Sequence, residues 1–263
     1  MKLKIGISNL QPGWEIILQQ EGLNFEEISL DDPVNVDDYS VLIINKSISN
    51  LHHLNFYLEN GGSAIINSKI YASINNIKLH SKKVKFSVSD KESIFADLGL
   101  IDFYTRFHWL KSEEIQYLDS NLKIQYQKIG IGILLILPFD VNSLILDTEF
   151  IRKKVWIDRP ELPSEIVTKV SKGKIRQIIE HCLQFLHDER EIPLVQSWRF
   201  PRDGHSLFMF RIDRDFCSTE QATALYELCK KHKIKGTWFV DTISRGTIQH
   251  VYCKVPDQEI ALH

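Results

Sequence analysis

Two acids close an apolar run at 210–216, FRIDRDF, where Asp213 and Asp215 stand on either side of Arg214 just before a helix signal. Strand carboxyl ends in α/β barrels aim side chains into the mouth of the active site. One carboxylate of such a pair can hold a divalent metal while the other accepts a proton. His263 is the third candidate, because it ends the apolar run 259–262. An imidazole and carboxylates converging from strand ends form a donor set suited to zinc or iron. The roles of the two acids stay open. Either acid could be the base with the other as metal ligand, or Asp213 could bind metal while Asp215 caps the following helix. Standing alone, a D-x-D is equally well a solvated turn.

Other chemistry-bearing residues give weaker patterns. Cys182, Cys217, Cys229 and Cys253 contain no chelating pair, so buried thiols are expected. His52 and His53 are adjacent and do not share a helix face. Gly130-Ile131-Gly132 is a lone G-x-G inside an apolar run, which reads as close backbone packing and not as a nucleotide loop. Trp198, Phe200 and Trp238 could stack on a sugar, with core packing the competing use for each.

These residues need elements to position them. Through the first hundred residues, short β runs at 3–7, 25–30, 39–45 and 63–67 alternate with helical segments at 14–21 and 51–59. That alternation predicts a doubly wound parallel sheet, in which ligands bind at the carboxyl ends of strands. Further β pieces are expected at 84–88, 123–126 and 133–137. Helical spacing of Ile166, Val170, Ile178, Cys182 and Phe185 predicts a helix over 163–188 that connects two domains. A new unit follows: a strand at 206–213, a helix at 219–232 opened by a Ser218–Gln221 capping box, and strands at 234–241 and 258–263.

Composition sets the outer limits. The chain has 263 residues, 43% hydrophobic and 25% charged, so it can bury a core and is not disordered as a whole. The 32 Lys and Arg against 34 Asp and Glu leave a net charge of −2, which argues against a dedicated nucleic-acid binder. The most apolar stretch, 129–146, is broken by Pro138, Asp140 and Asn142, so no membrane span is expected. No signal peptide is recognisable at the N-terminus, and cysteines are sparse; a cytoplasmic location is expected.

The pieces FRIDRDF at 210–216, KKHKIKGTWFV at 230–240 and DQEIALH at 257–263 resemble, in order and spacing, the start of a polysaccharide deacetylase domain. That is the NodB-homology fold of carbohydrate esterase family 4. The resemblance implies a metal-dependent hydrolase of linear amide C–N bonds, removing acetyl groups from N-acetylated amino sugars of a polysaccharide or glycoconjugate, with zinc as its metal. By position Asp213 matches the family's catalytic base, Asp215 its metal-binding Asp, and His263 the first His of its H-x-x-x-H motif. The sequence departs from the pattern where Arg214 splits the acids, and it stops at His263, before the second His and the later motifs. A truncated, inactive form is therefore expected. The alternative is a non-catalytic binding or scaffold protein keeping part of that fold.

YLENGGSAII at 57–66 and IGIGILLILPFDV at 129–141 are similar to class I glutamine-amidotransferase-like and ThuA-like domains. Active members carry a nucleophilic Cys, and the first 181 residues have none, so binding, docking or oligomerisation is implied. The expected architecture is α/β: a flavodoxin-like doubly wound domain at 1–150, a helical connector at 151–197, and at 198–263 the first strands of a distorted (β/α) barrel of the deacetylase type. The expected partner is a carbohydrate substrate.

Overall fold

The computed structural model describes residues 3–48, 51–154, 164–197, 204, 208–213, 218–240 and 257–262. They fall into two compact units, Met1–Trp198 and Arg199–His263.

The first unit is α/β with a mainly parallel central sheet, as the alternation along 1–100 predicts. Its elements begin with β1 (Ile5–Ser8), α1 (Pro12–Gln20), β2 (Phe25–Glu27), β3 (Val41–Ile44), α2 (Leu51–Glu59), β4 (Ser63–Asn67) and α3 (Ser68–Asn75). After these come β5 (His80–Val88), β6 (Leu100–Trp109), β7 (Gln116–Asp119), β8 (Ile124–Ile129), β9 (Gly132–Leu137) and α4 (Val141–Leu146). The last are β10 (Phe150–Lys154), β11 (Ser164–Thr168) and α5 (Lys172–Asp188).

The sheet order is β2-β1-β3-β4-β9-β8-β7. The first five strands run parallel, and β8 and β7 add an antiparallel edge. IGIS, VLII and GILLIL are buried at every position, as required of strands covered on both faces. Alternate residues separate into two cores. Ile7, Ile43, Ile65 and Leu135 face α1, α4 and α5, whereas Leu42, Ile44, Ile66 and Leu134 face α2.

Two segments differ from the sequence reading. Residues 164–168 are the strand β11, paired antiparallel with β10, and the helix begins only at Lys172. Ser-Glu-Ile-Val-Thr is rich in β-branched residues, which fit a pleated ladder better than a first helical turn. The helix read as a connector buries Ile175, Ile178, Ile179, Cys182, Leu183 and Leu186 in the first core. Asp102 fastens its start, since Ser171 and Lys153 both reach that carboxylate.

The lone G-x-G is the β8–β9 turn. Gly130 has φ +60°, a conformation glycine adopts without penalty, and Gly132 opens β9 against the backbone of α2.

In the second unit β12 (Arg211–Asp213), α6 (Thr219–Lys231), β13 (Thr237–Val240) and β14 (Glu259–Leu262) form a three-stranded parallel sheet in that strand order. The capping box is present, with Ser218 and Gln221 exchanging side-chain to backbone bonds. Ile212, Cys229 and Trp238 make the core under α6.

Candidate functional site

The carboxyl ends of β3, β4 and β9 open onto a crevice of about 230 Å³. Its floor is apolar, with Trp14 and Phe139 beside Ile44, Ile66 and Leu137. Its rim is polar and comes from four chain turns: Gln11 before α1, Asn45 after β3, Asn67 and Lys69 at the start of α3, and Asp140 before α4.

The local chemistry explains why these turns sit where they do. Pro12 starts α1, where its missing N–H costs nothing. The Gly13 N–H donates to Asn142 Oδ1 at 2.8 Å, and a Cβ on Gly13 would lie 2.7 Å from Asn142 Cα, so α1 and α4 meet only because residue 13 is glycine. Asn67 caps α3 by accepting the Lys69 N–H at 2.9 Å, while its Nδ2 donates to the Phe139 carbonyl at 2.7 Å. That one side chain binds β4, α3 and the end of β9 together. Asp140 Oδ1 caps α4 by accepting the Ser143 N–H. Asn45 Nδ2 donates to the Asn9 carbonyl, and Asn9 takes the left-handed turn with φ +60°.

Near the rim, His108 is held below the usual histidine range by burial and by the positive charges of Lys69 and Arg106. The positive Lys69 and negative Asp140 on the rim cancel in sum. Among the described residues no Cys, Ser, Thr, His or Glu lines the crevice, and its one carboxylate is Asp140.

The residues singled out in the sequence lie elsewhere. Asp213 is the last residue of β12, exposed, with Oδ1 accepting from Arg211 Nε at 2.8 Å. The Arg211 guanidinium lies 4.2 Å from the Phe239 ring centroid. Asp215 and His263 fall outside the described residues, as do Cys217, Cys253, Trp198 and Phe200. Among the described residues no three His, Cys, Asp or Glu side chains converge as a metal site. Trp238 is fully buried and belongs to the core. Burial pushes the Cys182 and Cys229 thiols up, away from reactive thiolates. No helix among the described residues is long and apolar enough to cross a membrane.

Gln11, Asn45, Lys69 and Asp140 did not stand out in the sequence. One signal was available: Asn45 follows the apolar strand β3 and Asn67 ends the largely apolar β4, the position at which open α/β sheets present ligand-binding groups.

No protein-family model matches the chain, and no curated protein matches it. Solved structures similar to it include an exo-β-1,4-mannosidase from Opitutaceae bacterium strain TAV5, at 10% identity and a TM-score of 0.40, over 53% of this chain and 31% of that one. A β-galactosidase from Bacillus circulans sp. alkalophilus matches at 8% identity and 0.45, over 72% of this chain and 31% of that one. A β-galactosidase from Rahnella sp. R3 matches at 9% and 0.45, over 73% and 32%. The chain spans about a third of the length of each.

These results correct the family reading. No deacetylase or amidotransferase-like family model and no curated protein of either kind matches the chain, so amide deacetylation is withdrawn as the function. The physical reason lies in the three matching pieces. Each is a short strand or strand end around one helix, a pattern that any parallel β-α-β unit with an acid at a strand end reproduces.

Proposed function

We propose that the first unit, a flavodoxin-like sheet by its strand order, is a non-catalytic saccharide-binding module. The observation that carries this reading is the crevice rim, where Gln11, Asn45, Lys69 and Asp140 surround an apolar floor with Trp14 and Phe139. Amides and one charge of each sign offer donors and acceptors to a neutral polyol, and the floor takes the apolar face of a ring. The volume of about 230 Å³ is below the roughly 300–1,000 Å³ of drug-sized clefts, which suits a single ring. No cleavage is assigned to this crevice. Glycoside hydrolysis usually takes two carboxylates flanking the scissile bond, and the crevice has one, already capping a helix.

Calorimetric titration of the full chain with a panel of neutral monosaccharides and disaccharides tests this reading. At least one should bind, and Asn45→Ala and Lys69→Ala should each weaken it by about tenfold, the worth of a hydrogen bond of ~1.5 kcal/mol. No heat with any saccharide at millimolar concentration would refute the module, as would binding indifferent to both substitutions.

A second reading concerns the other unit, where Asp215 and His263 are proposed to hold a divalent ion, zinc, with Asp213 as the neighbouring base or as the ligand in place of Asp215. The β-register supports it: Asp213 is level with Phe239 and Ala261, and His263 follows Ala261 by two positions. A carboxylate and an imidazole are both acceptable zinc donors. Arg211 competes for Asp213 Oδ1, so Arg211→Ala should tighten zinc binding and Asp213→Ala should weaken it, as read by competition with a chelating dye. Unchanged zinc affinity in both variants counts against the site.

A further inference from the structure

A second groove lies on the β5–β6 ribbon, remote in sequence from most of the crevice rim. It encloses about 400 Å³ and is lined by Lys82, Lys83, Lys85 and Lys123, with Phe86 and Trp109 among its apolar walls and, among the described residues, no acid. We propose that this groove binds a segment of an acidic polysaccharide, one bearing carboxylates on its sugar rings.

Charge is the first argument. The chain as a whole is slightly negative, yet residues 61–89 hold five lysines and no acid. Among the described residues Lys82, Lys83 and Lys85 form no ion pair, and Lys123 lies close enough to Asp90 to help hold that carboxyl below its usual range. The ladder aggravates the imbalance. Lys83 stands directly opposite Arg106 in the antiparallel register, and like charges in that position repel. A carboxylate bound among the groove lysines offsets part of this concentration of positive charge.

The shape of the apolar surface decides which polyanion fits. Phe86 is 60% exposed and offers a flat face to a sugar ring. The Trp109 ring is already covered by the Lys123 ammonium, 5.7 Å from its centroid, and the same ammonium lies 5.2 Å from the Tyr117 ring. Single-stranded nucleic acid is held by successive open aromatic platforms in a strongly positive field. Here one ring of the groove, that of Phe86, is open. A carboxylated glycan needs one open ring for stacking, with its carboxylates left to meet the groove lysines. This site is independent of the crevice, which has balanced charge, and either can fail without the other.

The test titrates the full chain with a short oligogalacturonate, a neutral oligosaccharide of equal length, and an oligothymidylate of equal charge. Oligogalacturonate should bind, and weaken at least about tenfold between about 50 and about 200 mM salt as its contacts are screened. The double substitution K83E/K85E should abolish measurable binding, and Phe86→Ala should weaken it by about threefold to tenfold, in the range of a lost stacking contact. K83Q, which removes the repulsion with Arg106, should fold at least as well as the parent and still bind more weakly. Absence of oligogalacturonate binding, binding unaffected by K83E/K85E, or equal or tighter binding of the oligothymidylate would each overturn the proposal.

Discussion

Replacing Arg190 with Ala should lower the unfolding free energy by about 3–5 kcal/mol, because several carbonyls would lose a charged donor at once. Arg190 follows α5 and sends its guanidinium back to the loop before β3. Its two terminal nitrogens donate to the carbonyls of Val36, Tyr39 and Ser40, and Nη1 also reaches the Tyr57 hydroxyl at 3.5 Å. Tyr57 is 1% exposed and donates its own proton to the Tyr39 carbonyl at 3.1 Å. Burial pushes the Tyr57 hydroxyl up to about 12, and the Arg190 charge acts in the opposite direction. Removing the arginine should therefore raise Tyr57 further, visible as a later tyrosinate absorbance on alkaline titration. Lysine should not rescue, since one ammonium cannot match a planar fork that serves separated carbonyls. Urea titration of the full chain measures the loss. A change under about 1 kcal/mol would mean that water replaces the guanidinium at these carbonyls, and the clamp would be dispensable.

Arg190 also illustrates what the sequence could disclose. The strands β1, β3, β4 and β9 were legible because a parallel strand covered on both faces must be apolar at every position, and VLII or GILLIL have few other uses. The helix α6 was legible because Ser218 and Gln221 form a local capping box that needs no tertiary partner. The strand β11 was misread because Ile166 and Val170 happen to fall on helical spacing. Only the pairing with β10 separates the two, leaving Ile166 exposed and Val170 buried. Long-range partners such as Arg190 and Val36 carry no local signature.

The candidate site was legible in the opposite sense. Charged residues interrupting an apolar run, as at Asp213, draw attention whether or not they meet a ligand. The crevice residues are ordinary amides, a lysine and an acid spread from position 11 to 140, and they meet only because parallel strands bring all their carboxyl ends to one edge. Two of them, Asn67 and Asp140, are helix caps as well. Their residue types are thus fully explained by local structure, which hides any contribution to binding. The lysines of β5 were equally inconspicuous while the total charge stood at −2. Their concentration matters only once the ladder sets Lys83 against Arg106.

Gly132→Ala should cost about 3 kcal/mol or more, beyond the usual range for one added methyl group in a core. A Cβ at this position would lie 2.2 Å from the Leu58 carbonyl oxygen and 2.3 Å from that of Gly62. Both are backbone atoms in hydrogen bonds, Leu58 O accepting from Gly61 and Gly62 O from Ile133. Neither can turn aside as a flexible side chain would. The start of β9 must therefore move away from α2, and β9 lies between β4 and β8 within the sheet. The same strand delivers Phe139 and Asp140 to the crevice, so any folded remainder should bind saccharide more weakly than the parent. Gly173→Ala is the matched comparison. It adds the same methyl group near the start of α5, where a Cβ meets nothing within 4 Å, and helix propensity then favours alanine by up to about 1 kcal/mol. Thermal unfolding of the two variants should thus shift in opposite directions. If Gly132→Ala unfolds with Gly173→Ala, the close approach of β9 to α2 has slack, and the positions of Phe139 and Asp140 do not depend on it.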